Sequence, residues 1–472
     1  MHHRKNDLSN TSLDLCSQYN SKLCDILKYV LQEIRPTKNE RKEIMNFSRE
    51  IISEIEVALK PLKLDLEVSL EGSIAKNTWL SGEKDIDIFV ILKKEYPKEI
   101  FEIILDHLVK NLPYNFTRGY AEHPYLNAKI RNFDVDIVPA FSIGKKLSSV
   151  DRTPLHTKYV IMHSTETIND EIRLLKRFLR GINAYGGEIK TGGLPGYGCE
   201  LLVLHYGSFL QTISEIALKD RIFVDTENLW QSYDDAYHFF KKHFIIVDPV
   251  DKYRNVAASL KIEKLNLIKL ASKWLLKEPK LSFFFPKNPY CTENKVLDMM
   301  KGRVLVLIVL FLVSGTSPDV YWGQGLKIGR KIRTQLIQTG FNVIYMDYFE
   351  HINRFLIMLE LEHSRRPDVS IVRGPKVNIP LNHIIRFIKK HEENSISGPW
   401  IDNLGYLTFE KKSLQQSPTD VIKRTLKNTK LEPSFSSFRI YSSISEILQV
   451  SKKEKFVDKL CKFLLRKLPW LY

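Results

Sequence analysis

Cysteine is scarce in this chain, and the few present form no pattern. Cys16, Cys24, Cys199, Cys291 and Cys461 are odd in number, scattered, and never spaced as C-x-x-C. That argues against a zinc site and against a disulfide framework, so reduced thiols in a cytoplasmic protein are the simplest expectation. Long apolar runs are missing as well. The longest, Val304 to Val313, has ten residues, about half of what spans a bilayer, and is expected to be a buried strand. The first thirty residues lack the basic-then-apolar order of a secretory leader. No internal repeat or low-complexity tract is visible, which excludes a solenoid.

Acidic residues are also in deficit. Against 71 Lys and Arg stand 55 Asp and Glu, giving a formal charge of +16 and a pI near 9.3. Such a surplus favours a polyanionic partner, nucleic acid before an anionic membrane. A basic protein without such a partner is the plainer alternative. Hydrophobic residues at 43% and charged residues at 27% suit a soluble globular chain. At roughly 100–200 residues per domain, 472 residues imply two to four domains.

Thr37-Lys38-Asn39-Glu40 has the form of a capping box. Ile44, Phe47, Ile51 and Ile55 follow at helical spacing, which predicts a long helix ending before Pro61. Leu64–Leu70 and Asp85–Leu92 read as strands, Ile100–Lys110 as a helix, and Phe133–Pro139 as a short strand stopped by its proline. Helices are expected at Glu171–Arg180, Cys199–Ile216, Asp234–His243 and Leu265–Leu276. A boundary is expected near Phe284–Pro289. The last third reads as strands at Arg303–Val313, Phe341–Tyr348 and Phe355–Leu361, with helices at Gly325–Thr339 and Pro380–Glu392. Ser397-Gly398-Pro399 reads as a turn. Lys452–Leu468 reads as a basic amphipathic helix, docked on the surface with its charged face in water.

The chemistry concentrates between Gly72 and Asp87. Asp85 and Asp87 alternate on one strand, so both carboxylates face the same way, about 6–7 Å apart. Ile86, Ile88, Phe89, Val90 and Ile91 around them are apolar. Two acids crowded at the start of a buried strand repel each other and lose hydration unless a cation lies between them. Oxygen-only ligands suit Mg²⁺. Gly72-Ser73, just before, has the small residue and hydroxyl that let a turn approach a phosphate at a helix start. A third acid is expected from a neighbouring strand, where Asp134 and Asp136 both face the same way. Two metals held by such a set can activate a hydroxyl and stabilise a leaving oxygen. The plain alternative is a set of solvated acids at strand ends.

Gly-Ser followed by Asp-x-Asp and a further Asp resembles the signature of the DNA polymerase β-like nucleotidyltransferase superfamily. More narrowly, the chain resembles the archaeal-type (class I) CCA-adding enzymes. The blocks Gly72–Trp79, Tyr120–Tyr125, Asp151–His156, Arg173–Lys176, Gly196–Glu200, Tyr206–Ser208 and Asp248–Ala258 carry the likeness, in that family's order. Looser echoes follow at Arg373–Pro375 and Gly398–Ile401.

The resemblance implies an α+β multidomain chain. A polymerase β-like head would occupy 1–165, a helical neck 166–285, and an RNA-binding α+β body and tail 286–472. It implies Asp85, Asp87 and Asp136 as catalytic ligands of two Mg²⁺ ions. Ser73, Lys176 and Tyr185 would bind the triphosphate of CTP or ATP, with Lys76 where the family usually has Arg. Thr153 and His156 would meet the nucleotide, Arg254 would read the base edge, and His123 would lie near the growing RNA end. The partner would be tRNA, gripped by its acceptor and T arms in the cytoplasm; no membrane is involved, and a homodimer is compatible. Read one by one, these residues have plainer roles. Lys76, Lys176 and Arg173 could be surface charges on helices, Arg254 a salt-bridge partner of Asp251, and Tyr185 a core residue. Thr153 and His156 could shape a loop around Pro154, and His123 could be structural. A poly(A) polymerase or oligoadenylate synthetase, an inactive transferase scaffold that binds RNA, and a membrane-surface protein are the rival readings.

Overall fold

The computed structural model describes residues 11–18, 20–120, 122–142, 148–365, 368–412, 417–428 and 431–471. It divides into two compact units, Met1–Asn288 with Leu468–Tyr472, and Pro289–Lys467.

In the first unit, a short α1 (Ser12–Leu15) precedes α2 (Ser21–Ile34) and α3 (Lys38–Leu59). Thr37 and Glu40 close the expected capping box at the start of α3. Next come β1 (Leu66–Glu71), the single turn α4 (Gly72–Ala75), β2 (Asp85–Leu92) and α5 (Ile100–Asn111). Then β3 (Thr117–Tyr120), β4 (Pro124–Ile130) and β5 (Phe133–Phe141) complete a sheet ordered β1-β2-β5-β4-β3. Only β2 and β5 run parallel. Period-two alternation decides the two faces of this sheet. Ile86, Ile88, Val90, Val135 and Ile137 pack under α3 and α5, against Phe47, Ile51, Phe101 and Leu105. Asp85, Asp87, Asp134 and Asp136 occupy the alternate positions and therefore take the opposite face.

The helical part of this unit contains α6 (Thr153–His163), α7 (Glu166–Gly181), α8 (Gly196–Tyr206) and α9 (Phe209–Leu218). After β6 (Ile222–Val224) come α10 (Tyr233–Phe240), β7 (Phe244–Asp248), β8 (Asp251–Asn255) and α11 (Ile262–Lys277). α2, α7, α8, α9 and α11 enclose one core around Leu175, Phe178, Leu202 and Phe209. Trp470 closes it by stacking on Phe283 at 5.0 Å.

The second unit holds α12 (Glu293–Met300), β9 (Val304–Leu312), α13 (Pro318–Gln338), β10 (Val343–His351) and β11 (Arg354–Leu361). A smaller sheet follows, made by β12 (Val369–Lys376), β13 (Ser397–Ile401) and β14 (Tyr406–Lys412), with α14 (Leu381–His391). Then come α15 (Pro418–Asn428), β15 (Phe435–Tyr441), α16 (Ile444–Lys453) and α17 (Val457–Leu465). The larger sheet is ordered β10-β11-β9-β15, all antiparallel. The unbroken apolar run in β9 now has a cause. Val306, Ile308 and Leu310 pack against α13 and α15. Leu305, Leu307 and Val309 pack against α12, α16 and α17. A strand covered on both faces needs no polar alternation.

Several expectations are corrected. Pro139 does not stop β5, which runs to Phe141. The last β4 partner is at Ile137, so the missing N–H of Pro139 falls where that edge is unpaired. Cys199–Ile216 is two helices, broken where Gly207 turns with φ +87° and Ser208 caps α9 through Gln211 N. Ser397–Pro399 lies within β13, at the edge of its sheet. Lys452–Leu468 is not one helix: α16 ends at Lys453, Lys455 turns with φ +58°, and α17 starts at Val457.

The thiol expectation is overturned. Cys16 is bonded to Cys24 and Cys291 to Cys461, with Cα separations of 5.2 and 5.9 Å; Cys199 is buried and free. The second pair is 170 residues apart, a distance that no local spacing rule detects. A disulfide is typically worth roughly 2–4 kcal/mol. Cys291→Ser with Cys461→Ser is expected to lower stability by about that amount, read as a lower denaturation midpoint. In reductant, which also opens Cys16–Cys24, the wild-type chain and the double variant should share one midpoint. Equal midpoints with and without reductant would show that the bond does not form.

Candidate active site

Gly72 links the end of β1 to the first acids of β2. Its φ is +70°, and a Cβ there would lie 1.9 Å from Asp87 Oδ2. Only glycine lets the turn pass this close to the carboxylate. Ser73 follows in α4, whose four residues are too few for a strong helix dipole. The dense backbone turn, rather than a long helix, brings hydroxyl and N–H groups to this point.

Across the parallel pair, Asp85 lies opposite Asp134 and Asp87 opposite Asp136. Four carboxylates thus line one end of the sheet on its polar face. Burial first, then repulsion from Asp136, pushes the Asp87 carboxyl up to about 6. Burial, then Glu83 and Asp134, raises Asp85. Asp136 is raised by burial, though Asn127 Nδ2 donates to its Oδ1 at 2.8 Å. Asp134 is exposed, whereas Asp136 is half-buried beside Asp87. The donors are the hard oxygens that suit Mg²⁺. Among the described residues no three His, Cys, Asp or Glu side chains already converge as a closed metal cluster. Glu71, cross-strand from Asp87, adds a further buried carboxyl, raised by burial despite Thr157 and Ser69 beside it. An acid-rich, desolvated group of this kind fits a cation.

The lysines are not on the surface. Lys76 and Lys176 are buried, and both ammonium groups meet Glu200, which is 1% exposed. Lys76 Nζ donates to Glu200 Oε2 at 2.7 Å, and Lys176 Nζ to Oε1 at 2.9 Å. Thr78 Oγ1 donates to the same carboxylate at 2.7 Å. Burial would raise Glu200, but Lys176 and then Lys76 outweigh it and hold the carboxyl down at about 2. Lys176 also donates to Thr78 O and Thr78 Oγ1, at 3.2 and 2.9 Å. These bonds use the three N–H donors of its ammonium group. Arg173, one turn earlier on α7, donates to Trp79 O and Asn77 O at 2.9 and 2.6 Å. α7 therefore holds three successive carbonyls of the segment joining α4 to β2. Tyr185 lies beside Lys176, since a Cβ on Gly196 would sit 2.8 Å from its Oη and 3.8 Å from Lys176 Cε.

A second buried acid organises the other end. Asp248, fully buried, accepts from His156 Nε2 at 2.9 Å and from Arg254 at 2.7 Å. Arg254 thus pairs with Asp248, while Asp251 pairs with Arg152 at 3.0 Å. Burial lowers His156 despite Asp248, and its ring stacks on Tyr197 at 4.1 Å. Lys76 lies 5.6 Å from the same Tyr197 ring, which links the two acid centres. Thr153 opens α6, one turn before His156. His123 sits apart from this group, buried in the head. It bonds Asp151 Oδ1 and Ser148 Oγ, each at 3.0 Å, and packs on Phe101. Glu200 and Asp248 were not singled out by sequence as site residues. The signal for Glu200 was an acid between Cys199 and Leu201 in an apolar helix.

With this geometry in place, comparison with known proteins is decisive. Residues 52–160 match the nucleotidyltransferase domain profile, 170–285 the second domain of tRNA nucleotidyltransferase, and 301–434 the C-terminal domain of CCA-adding enzymes. A CCA-adding enzyme of Saccharolobus islandicus is 36% identical over 84% of this chain and 91% of its own length. The chain belongs to the CCA-adding enzyme family. A Methanopyrus kandleri member is 31% identical over 91% of this chain and 93% of its own. As a member, the chain is a nucleotidyltransferase with the α+β head of that superfamily. Among solved structures, a Cid1 poly(U) polymerase bound to MgATP aligns with TM-score 0.45 and 14% identity, over 55% of this chain and 95% of that one. Among the described residues no single helix is long and apolar enough to cross a membrane.

The raised Asp87 carboxyl gives a stability test. The folded chain holds a proton there up to about pH 6, whereas an unfolded Asp loses it near 3.8. Folding stability in chelator should therefore fall as pH rises from 4 through 6, and Asp87→Asn should flatten that fall. The variant should melt higher than wild type at pH 7.5 and transfer no nucleotide. Parallel pH curves for the two chains would contradict the geometry.

Proposed function

We propose that this chain completes the 3′ end of tRNA, adding C, C and A from CTP and ATP without a nucleic-acid template and releasing pyrophosphate. The observation that carries this reading is the pairing of Asp87 with Asp136 across β2 and β5, pressed against the Gly72-Ser73 turn. Asp85, Asp87 and Asp136 would hold two Mg²⁺ ions. When bound, these would acidify the terminal hydroxyl and neutralise the triphosphate and the departing pyrophosphate.

The remaining steps fall to the chain's own groups. Asp136 has one oxygen committed to Asn127 and keeps the other for a metal or the hydroxyl proton. Its register with Asp87 favours it over the exposed Asp134. Ser73 donates to a phosphate oxygen from the turn. Lys76 spends one donor on Glu200, which leaves two N–H groups for phosphate. Lys176, whose donors are engaged, acts by fixing Thr78 and by its positive field, with Tyr185 beside it. Arg254 and His156, pinned by Asp248, present donors to the base edge, where a fixed guanidinium discriminates well. Thr153 adds a hydroxyl one turn away. His123 holds the loop that leads to Thr153 and supports the RNA end indirectly. Catalysis on this reading is positioning and charge stabilisation.

The head would span 1–165, the neck 166–285, and the body and tail 286–472. The substrate is taken by its acceptor and T arms in the cytoplasm. A tRNA transcript lacking its terminal CCA, incubated with Mg²⁺, should gain two C residues from CTP alone and one A when ATP is added. A ladder of A from ATP alone would make the chain a poly(A) polymerase. Binding of tRNA without any addition would make it an inactive scaffold.

A further inference from the structure

β1 ends on Glu71, one residue before Gly72. Leu66, Val68 and Leu70 pack into the core with α3 and α5. Alternation therefore turns Glu67, Ser69 and Glu71 to the opposite face, the one that carries Asp85 and Asp87. Glu71 lies directly opposite Asp87 in the β1–β2 pair. The register continues from Asp87 to Asp136 on β5, and from Asp136 to Asn127 on β4. One rung of the sheet thus reads Glu71, Asp87, Asp136, Asn127. Glu71 is only 5% exposed. Ser69 Oγ donates to its Oε1 at 2.7 Å, and Thr157 of α6 lies beside it. Among the described residues no Lys or Arg is ion-paired with it; Lys76, whose charge reaches Glu71, is bonded to Glu200 instead.

A buried carboxyl without a cationic partner is costly, and one set in a row with two more is costlier still. An apolar β-former such as valine would fill the same strand position without that cost. The acid stands where a cation recovers the cost, because a bound cation turns repulsion among carboxylates into attraction. We propose that Glu71 is a positioning residue of the transfer site: its buried charge, on the strand beside Asp87, strengthens the hold of Asp85, Asp87 and Asp136 on divalent metal. This rests on the reading that those three acids hold Mg²⁺. Opposed residues of an antiparallel pair have Cβ atoms about 4.5–5.5 Å apart, so the charge acts at short range and away from water. The turn at Gly72 fixes it there, since the chain leaves Glu71 directly over the Asp87 carboxylate. Glu71 needs no contact with nucleotide or RNA for this. Its role is also distinct from that of Glu200, whose charge is spent on two lysines.

The test is Mn²⁺ binding to the full-length chain, without nucleotide or RNA, followed at pH 7.5 by loss of the free-ion electron paramagnetic resonance signal. Glu71→Gln keeps the shape and the acceptor for Ser69, and Glu71→Val gives the strand a residue it readily takes. In both, Kd for Mn²⁺ is expected to rise roughly tenfold or more, the scale on which groups supporting metal ligands act. In chelator both variants should melt above wild type, because a buried repulsion is gone, and added Mn²⁺ should raise their melting temperature less. Thr157→Val removes the α6 neighbour, leaves the charge, and should leave Kd unchanged. A Mn²⁺ affinity equal to wild type in folded Glu71→Gln chain would overturn the proposal and leave the transferase reading intact. Equal weakening by Thr157→Val would overturn it as well, by making Glu71 a tether of α6. A wild-type chain that holds no Mn²⁺ would overturn the metal reading on which it rests.

Discussion

The first unit is organised around a single buried carboxylate. Glu200 lies between Lys76 and Lys176 with Thr78 as a third donor. A charge in such a place is tolerated only because every partner is present. Removing one partner from a buried pair costs roughly 3–5 kcal/mol. α8 supplies the acid, α7 one lysine, and the Gly72–Leu80 segment the other. These elements are far apart in sequence, so the ion cluster forms only when head and helical core are docked. Arg173 reinforces the same docking by holding Asn77 and Trp79 carbonyls. The consequence reaches the chemistry directly: the held segment fixes both the Gly72-Ser73 turn before it and the start of β2 after it.

Asp248 repeats this design at the other end of the cluster. It holds His156 and Arg254 together, two residues on elements that would otherwise be independent. One buried acid therefore fixes the two lysines and another fixes His156 and Arg254. Between them Tyr197 touches both, packing on His156 and lying beside Lys76. Electrostatic preorganisation of this kind spares reorganisation at the moment of reaction. The cost is concentrated in the unshielded carboxylates of β2 and β5, which are raised by burial and by one another.

Much of this was legible in the chain, and the failures have physical causes. β2 was read with its true bounds, because alternation of Asp with apolar residues leaves one register. The capping box and β9 were equally local. β3 and β4 escaped because Arg118, Tyr120, Asn127 and Lys129 blur any apolar pattern on a partly exposed hairpin. Pro139 misled because an edge without a partner tolerates a missing N–H. For Lys76, Lys176 and Arg173 a surface charge stayed open as the plainer alternative, since burial of a cation is decided by a distant acid that periodicity cannot show. The Cys291–Cys461 bond, 170 residues across, was hidden for the same reason. The three acids and the turn before them could be placed from sequence; their buried counter-charges could not.

The most direct test of this account is the steady-state kinetics of Glu200→Gln with CTP, ATP and tRNA varied separately. If Glu200 sets the position of Lys76 and the held segment, KM for both triphosphates should rise about tenfold or more, which is about 1.4 kcal/mol of lost ground-state binding. KM for tRNA should stay within about twofold, and Glu200→Asp should recover part of the loss. Triphosphate KM values equal to wild type in a folded Glu200→Gln chain would contradict it.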